Sequence, residues 1–318
     1  MIDRRLSIAP MMDHTDKHFR YLMRLLTKHS ILYTEMITTA ALIFGNRKKF
    51  LDYNSNEHPI AIQLGGSNPK EFLECSCMAE NEGYDEVNLN IGCPSDRVQN
   101  GKFGACLMTE KELVAECVNN ISSNIKIPVT IKTRIGIDNH DSYDFLRDFI
   151  DTVSIAGCET FIIHARKAIL KGLSPKENRK IPPLDYQRVY KIKKEFPDLN
   201  IIINGGFTEL DQIKSQLKYV DGVMIGRAAY QNPFLLSKID SLIFNEPETF
   251  VTRQNILEKY KIYTDKQVRK GVNIKNLTRH IIGLYQGQPG ARKYRQILSG
   301  VIPKNHSRFF EEIIKTVT

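Results

Sequence analysis

"PIAIQLGGSNPKEFLECSCMAENEGYDEVNLNIG", residues 59–92, holds one complete architectural unit. Apolar, β-branched runs stand at its two ends, PIAIQLGG (59–66) and EVNLNIG (86–92), and PKEFLECSCMAENEG between them has helical spacing. Strand, helix, strand in this order is a parallel βαβ unit. Working outward, the same kind of run recurs at LSIAPMM (6–12), ILYTEM (31–36), PVTIKTRIG (128–136), ETFIIHA (159–165), NIIINGG (200–206) and DGVMIGR (221–227). Segments of helical spacing, such as EKELVAECVNNIS, lie between them. Eight alternating units fit a closed (β/α)8 TIM barrel. A doubly wound open sheet is the competing architecture, but it more often has fewer strands.

Each run ends on small or polar chemistry: Met11 and Met12, Glu35, Gln63, Asn90, Lys132, His164, Asn204, then Gly226 with Arg227. A barrel brings those ends to one mouth, where the loops after the strands build the active site. From about residue 245 the pattern changes to helical stretches near 252–270, 276–286, 289–299 and 307–316, with no β-run. The expected organisation is a barrel over 1–244 and an all-helical domain over 245–318.

Charge divides at the same point. Residues 245–318 hold 14 Lys/Arg against 6 Asp/Glu, whereas 1–244 hold 31 against 30. A basic appendage on a neutral body suits a polyanionic partner, because clustered cations displace counterions from a phosphate backbone. No uninterrupted apolar run approaches the ~20 residues of a bilayer span, and the apolar stretch in MIDRRLSIAPMM is too short for a secretory signal. Six cysteines without paired spacing fit reduced thiols. The expectation is a cytoplasmic, monomeric protein with no membrane partner.

At the mouth, NGG (204–206) and GR (226–227) end the seventh and eighth runs, where barrels often hold a phosphate. Glycine lets backbone N–H groups approach an anion, and Arg227 adds a bidentate charge. Lys132 and Arg134 share one face of the fifth strand. An inward lysine needs a partner: it serves as a Schiff-base nucleophile, lies beside the pyrimidine edge of a flavin, or is neutralised by a carboxylate. His164 is either a satisfied core residue or a site residue. A metal site is not expected: Cys75 and Cys77 point to different faces of a helix, and His14 with His18 lack an HExxH pattern.

The motifs APMMDHTD, QLGG, NLNIGCPSDRVQNGKFGACLM, IKTRIGID, HARKAILKGLSPKENRKIPPL, INGG, DGVMIGRAAYQNP and RHIIGLYQGQPGARKYRQILS resemble the tRNA-dihydrouridine synthases, most closely their A subfamily. The resemblance runs from about residue 6 to 300, with Tyr294 where that subfamily usually has tryptophan. It implies an FMN enzyme, with NADPH as reductant, that reduces D-loop uridines 20 and 20a of tRNA to 5,6-dihydrouridine. It places the flavin against Pro10, Met11 and Met12, with Gln63, Lys132 and His164 around the ring and ribityl chain. Asn204, Gly205, Gly206, Gly226 and Arg227 hold the phosphate in that reading. Lys176, Arg179, Arg292 and Arg295 are implied to position the tRNA.

The resemblance also gives a role to Cys93, wedged between Gly92 and Pro94 at the mouth rather than inside a strand. Reduction delivers hydride to C6 of uracil and needs a proton at C5. A thiol, which in water titrates near pH 8.5, keeps its proton at neutrality and serves as general acid. Asn90, on the same strand, is expected at the uracil edge. A stacked D-loop base must be extruded to reach a barrel mouth, so a phosphate-gripping surface is needed outside it. Arg166–Lys180, with six Lys/Arg and one Glu, and Arg292, Lys293 and Arg295 offer that surface. Two rivals remain: a flavin reductase for a small unsaturated substrate, which needs no basic helical domain, and a non-catalytic tRNA-binding protein, which needs no flavin constellation.

Overall fold

The structure, a computed structural model, describes residues 2–300 and 306–317. Eight parallel strands close into a barrel in sequence order: β1 (Leu6–Ile8), β2 (Ile31–Thr38), β3 (Ile60–Gly65), β4 (Glu86–Asn90), β5 (Val129–Arg134), β6 (Thr160–His164), β7 (Asn200–Asn204) and β8 (Gly222–Ile225). β8 pairs back onto β1 through Leu6 and Val223. The unit at 59–92 shows why its helix begins and ends where it does. Asn68 accepts the N–H groups of Lys70 and Glu71, Pro69 opens the helix Pro69–Glu82, and Gly83 closes it at φ 96°. These are the side-chain N-cap, the N1 proline and the left-handed C-terminal glycine of a helix signature.

The strands send β-branched and leucine side chains outward into one core with the surrounding helices, including Ile62, Leu64, Val87, Leu89, Ile131 and Ile203. A small second cluster, with Tyr33, Ala61, Ile162, Ile202 and Met224, fills part of the barrel interior. The rest of the interior is polar: Glu86, Asn88, Thr130 and Gln63 are each no more than 1% exposed. Such groups are tolerated only when their hydrogen bonds are made inside the protein, and here they are.

Beyond residue 245 the structure is helical, with helices Arg253–Arg269, Ile274–Thr278, Ala291–Ser299 and His306–Val317; residues 301–305 and 318 of the expected domain lie outside the described residues. The stretch 276–286 is not one helix as its spacing suggests. It turns at Arg279–Ile281, because Gly283 packs so closely on the β8 side that a Cβ there would lie 2.6 Å from Gln231 O and 2.7 Å from Tyr230 O. The same turn lets Arg279 Nη2 reach Asp16 Oδ2 at 2.6 Å and His280 Nε2 reach it at 3.0 Å. Asp16 also caps the helix Lys17–Leu26 through the N–H groups of His18 and Phe19. Despite partial burial, these donors hold its carboxyl well below the usual range. Tyr21 stacks on Tyr263 at 3.8 Å, and Tyr294 is fully buried with its hydroxyl donating to Ile281 O at 2.8 Å. The helices thus share the outer core of the barrel.

Candidate active site

The loop after β4 is built around the side chain that ends the strand. Asn90 Oδ1 accepts the N–H of Gly92 at 3.1 Å and of Cys93 at 3.0 Å, the local turn that short amide side chains favour. Its Nδ2 donates to Gln63 Oε1 at 2.9 Å. Arg134 Nε donates to Gly92 O at 2.9 Å, and its Nη1 donates to the carbonyls of Lys167 and Asn178 at 3.1 and 3.3 Å. One guanidinium therefore ties the loop after β4 to the loop after β6. On the other side Ala105 N–H donates to Cys93 O at 3.0 Å. Gly104, at φ 78°, lies so close that a Cβ would meet Cys93 O at 2.7 Å, which only glycine permits. Cys93 is consequently held by its backbone on several sides. Its half-buried thiol faces Ser95 Oγ at 3.5 Å.

Beside this loop, beginning on the neighbouring β5, stands an electropositive wall. The strand register sets Lys132 opposite Asn90, Arg134 opposite His164, and His164 opposite Asn204. Lys132 Nζ donates to Asn204 Oδ1 at 3.2 Å, and Asn204 Nδ2 donates to Met224 O at 2.7 Å. Burial, and then the neighbouring Arg134 charge, push the Lys132 ammonium down to about 7. His164 is held well below its ordinary value by burial, then by Arg134, Lys132, Arg166 and Arg227, so its imidazole is neutral. Its Nδ1 is buried without a hydrogen-bond partner. Gly205 and Gly206 follow at φ 126° and 84°, and a Cβ on Gly206 would lie 2.8 Å from Leu184 and 2.9 Å from the Tyr186 hydroxyl. That hydroxyl donates to Gly205 O at 2.7 Å. Gly226 faces Met11 Sδ, 3.7 Å from where its Cβ would be, so the ends of β8 and β1 meet. Pro10 and Met11 are half-buried and Met12 is exposed. Arg227 is exposed and, among the described residues, has no carboxylate partner.

Gln63 lies one layer below this wall rather than in it. Its amide accepts from Asn90 and donates to Asn88 Oδ1 at 2.8 Å, leaving one amide hydrogen uncommitted. Asn90 is likewise mostly committed to the protein, with one Nδ2 hydrogen left for a ligand. Within the basic loop, Lys167 pairs with Asp141 at 2.6 Å and Arg166 donates to the carbonyls of Lys180 and Pro182. These two cations serve the fold. Lys176 and Arg179 are exposed, and neither has a side-chain partner among the described residues. Burial and Arg227 lower Arg179's guanidinium, which places the two cations within electrostatic reach of each other. Arg292 is exposed and Arg295 Nη1 donates to Gln286 Oε1 at 3.4 Å; neither bonds a mouth residue.

Sequence reasoning missed the loop-bracing role of Arg134, and it missed Asn178 and Tyr186. Asn178 is fully buried and knits the basic loop through Ile169 N–H and the carbonyls of Ile169 and Leu173. An isolated asparagine among charges carries no signal that would have singled it out. Non-glycine residues with positive φ also gather on mouth loops, at Asp13 (62°), Lys102 (53°) and Asp138 (44°), as strained backbone does at functional sites.

The wall offers cations without carboxylates, an uncommitted buried imidazole nitrogen and close backbone at two glycines. It suits a bound group that carries a phosphate and a ring rich in hydrogen-bond acceptors. Fold and site together describe a (β/α)8 barrel with a thiol beside a cationic wall at its mouth, and with the family below they define an oxidoreductase. The chain belongs to the dihydrouridine synthase family, whose model matches residues 7–316, and this family is generally flavin-dependent. It is 56% identical over 304 residues to the tRNA-dihydrouridine(20/20a) synthase of Shewanella oneidensis, covering 96% of this chain and 90% of that one. It is 54% identical to the protein of the same name from Escherichia coli strain K12, covering 93% and 86%. The fold also matches histamine dehydrogenase from Rhizobium sp. 4-9 at a TM-score of 0.57 and 13% identity, over 76% of this chain and 47% of that one, so the chain spans about half of that structure. Among the described residues no helix is long and apolar enough to cross a membrane, and no three His, Cys, Asp or Glu gather as metal ligands.

Proposed function

We propose that this protein reduces the C5–C6 bond of uridines 20 and 20a in tRNA, using FMN recharged by NADPH. The observation that carries the reading is the braced Cys93 thiol beside a carboxylate-free wall of Lys132, His164 and Arg227. A flavin bound there supplies the hydride that C6 requires. The chain's own residues then have distinct tasks. Pro10, Met11 and Met12 form the apolar side of the pocket; Lys132, His164 and the free amide hydrogen of Gln63 serve the ring and ribityl chain. Asn204, Gly205, Gly206, Gly226 and Arg227 take the phosphate. Cys93 keeps its proton on Sγ until C5 receives it, and Asn90 fixes the thiol's loop while offering one N–H to the uracil edge.

The barrel, 1–244, carries this chemistry, and 245–318 grips the RNA together with Lys176 and Arg179. The net +8 of that segment fits a polyanionic substrate far better than a small unsaturated acid. Six free thiols without a disulfide fit a reducing compartment such as the cytoplasm.

Removing the gene and mapping dihydrouridine in total tRNA tests the reading in the cell: loss confined to positions 20 and 20a supports it, and unchanged modification there refutes it. Arg227→Ala should purify with less flavin, because a charged phosphate contact contributes ~1.5–3 kcal/mol, or roughly 10- to 150-fold in affinity. Flavin content equal to the parent protein's would remove Arg227 from the phosphate site.

A further inference from the structure

A hydrogen-bonded chain runs through the barrel interior from its floor to Cys93. At the floor, where the strands begin, Glu86 takes three donors: Arg4, the Tyr33 hydroxyl at 2.5 Å and the Thr130 hydroxyl at 2.6 Å. Thr130 Oγ1, having given its proton to Glu86, is an acceptor for Asn88 Nδ2 at 2.8 Å. Asn88 Oδ1 then accepts from Gln63 Nε2 at 2.8 Å, and Gln63 Oε1 accepts from Asn90 Nδ2 at 2.9 Å. Asn90 Oδ1 is thereby left to accept the N–H groups of Gly92 and Cys93. β4 carries Glu86, Asn88 and Asn90 on one face because side chains alternate along a strand. From Glu86 to Asn90 the path covers about 13 Å at ~3.3 Å per residue.

The direction of this chain is set at both ends, by a carboxylate at the floor that only accepts and by two loop N–H groups at the top that only donate. A primary amide offers an oxygen on one side and N–H groups on the other, and by itself it has no preference for which faces up. A carboxylate accepts and cannot donate, so it sets the Thr130 hydroxyl, and each amide above must follow the one below. We infer that Glu86 and Thr130, at the barrel floor, position Cys93 by anchoring from below the orientation of Asn88, Gln63 and Asn90 that the loop N–H groups require from above. If the order reversed, Asn90 would turn its NH₂ toward the two N–H groups of the loop, donor against donor, and the loop would lose its anchor.

Thr130→Val keeps the shape of the buried side chain but removes the link, whereas Thr130→Ser keeps the hydroxyl. Neither touches the wall or the basic surface. The first readout is alkylation of Cys93 by iodoacetamide, followed by peptide mass analysis. The second is single-turnover dihydrouridine formation at saturating tRNA. Thr130→Val should alkylate about tenfold faster and turn over about tenfold slower, the scale of one lost orienting hydrogen bond. Thr130→Ser should match the parent in both readouts. Should Thr130→Val not fold, Asn88→Ala is read in the same way. A folded Thr130→Val protein with the parent's alkylation rate would overturn the inference. The kinetic readout rests on the function proposed above and the alkylation readout does not. A parent protein that forms no dihydrouridine therefore refutes that function while alkylation still decides the relay.

Discussion

Cys93→Ala should bind flavin and accept electrons from NADPH like the parent protein, yet form dihydrouridine ~10²–10⁴-fold more slowly in a single turnover, the usual contribution of a positioned general acid. The reduction of the cofactor needs neither the thiol nor RNA, so the two half-reactions separate cleanly. The loop itself should survive, because it is held through backbone atoms: Gly92 and Cys93 N–H on Asn90, Gly92 O on Arg134, Cys93 O on Ala105. Cys75, Cys117 and Cys158 are buried, and burial pushes each thiol up to about 12. Replacing Cys75 or Cys158 by alanine should leave the turnover unaffected. Anaerobic rapid mixing with unmodified tRNA measures this, and a Cys93→Ala protein as fast as the parent would remove the thiol from the chemistry.

The second large effect is on stability. Glu57→Ala should destabilise the protein by ~3–5 kcal/mol, because it strands a buried guanidinium. Arg20 is 4% exposed and Glu57 is fully buried, with Nε donating to Oε2 at 2.6 Å. Arg20 also donates to Thr15 O at 2.9 Å, which ties the helix Lys17–Leu26 to the loop after β1. Glu57 additionally accepts Asn54 N–H at 2.7 Å. Urea denaturation should show the midpoint falling with little change in slope. A loss below about 1 kcal/mol would mean that water reaches Arg20 once the carboxylate is gone.

Much of the fold and of the site is legible in the amino-acid sequence. The strand–helix–strand unit at 59–92 announces itself through Asn68, Pro69 and Gly83, and the polar ends of eight runs point to one mouth because a barrel leaves them no other place. What is not legible depends on contacts between residues far apart in the chain. EVNLN alternates as a half-solvated strand would, yet both of its faces are buried, and its polar residues turn inward to partners 25 to 82 residues away. Asn90, expected at the substrate edge alone, spends most of its hydrogen-bonding capacity on Cys93's loop and Gln63. Counting cations in 166–180 cannot separate Arg166 and Lys167, which brace the fold, from Lys176 and Arg179, which have no side-chain partner among the described residues. The helical spacing of 276–286 holds no warning that Gly283 must fit against two carbonyls.

The proposed activity is conversion of particular tRNA uridines with a bound flavin. The most direct measurement incubates the purified protein with FMN, NADPH and unmodified tRNA bearing uridine at 20 and 20a, then maps dihydrouridine by position. Dihydrouridine should form at those positions, require both FMN and NADPH, and vanish when cytidine replaces the two uridines. NADPH consumed by a flavin-loaded protein that leaves both uridines intact would rule this activity out.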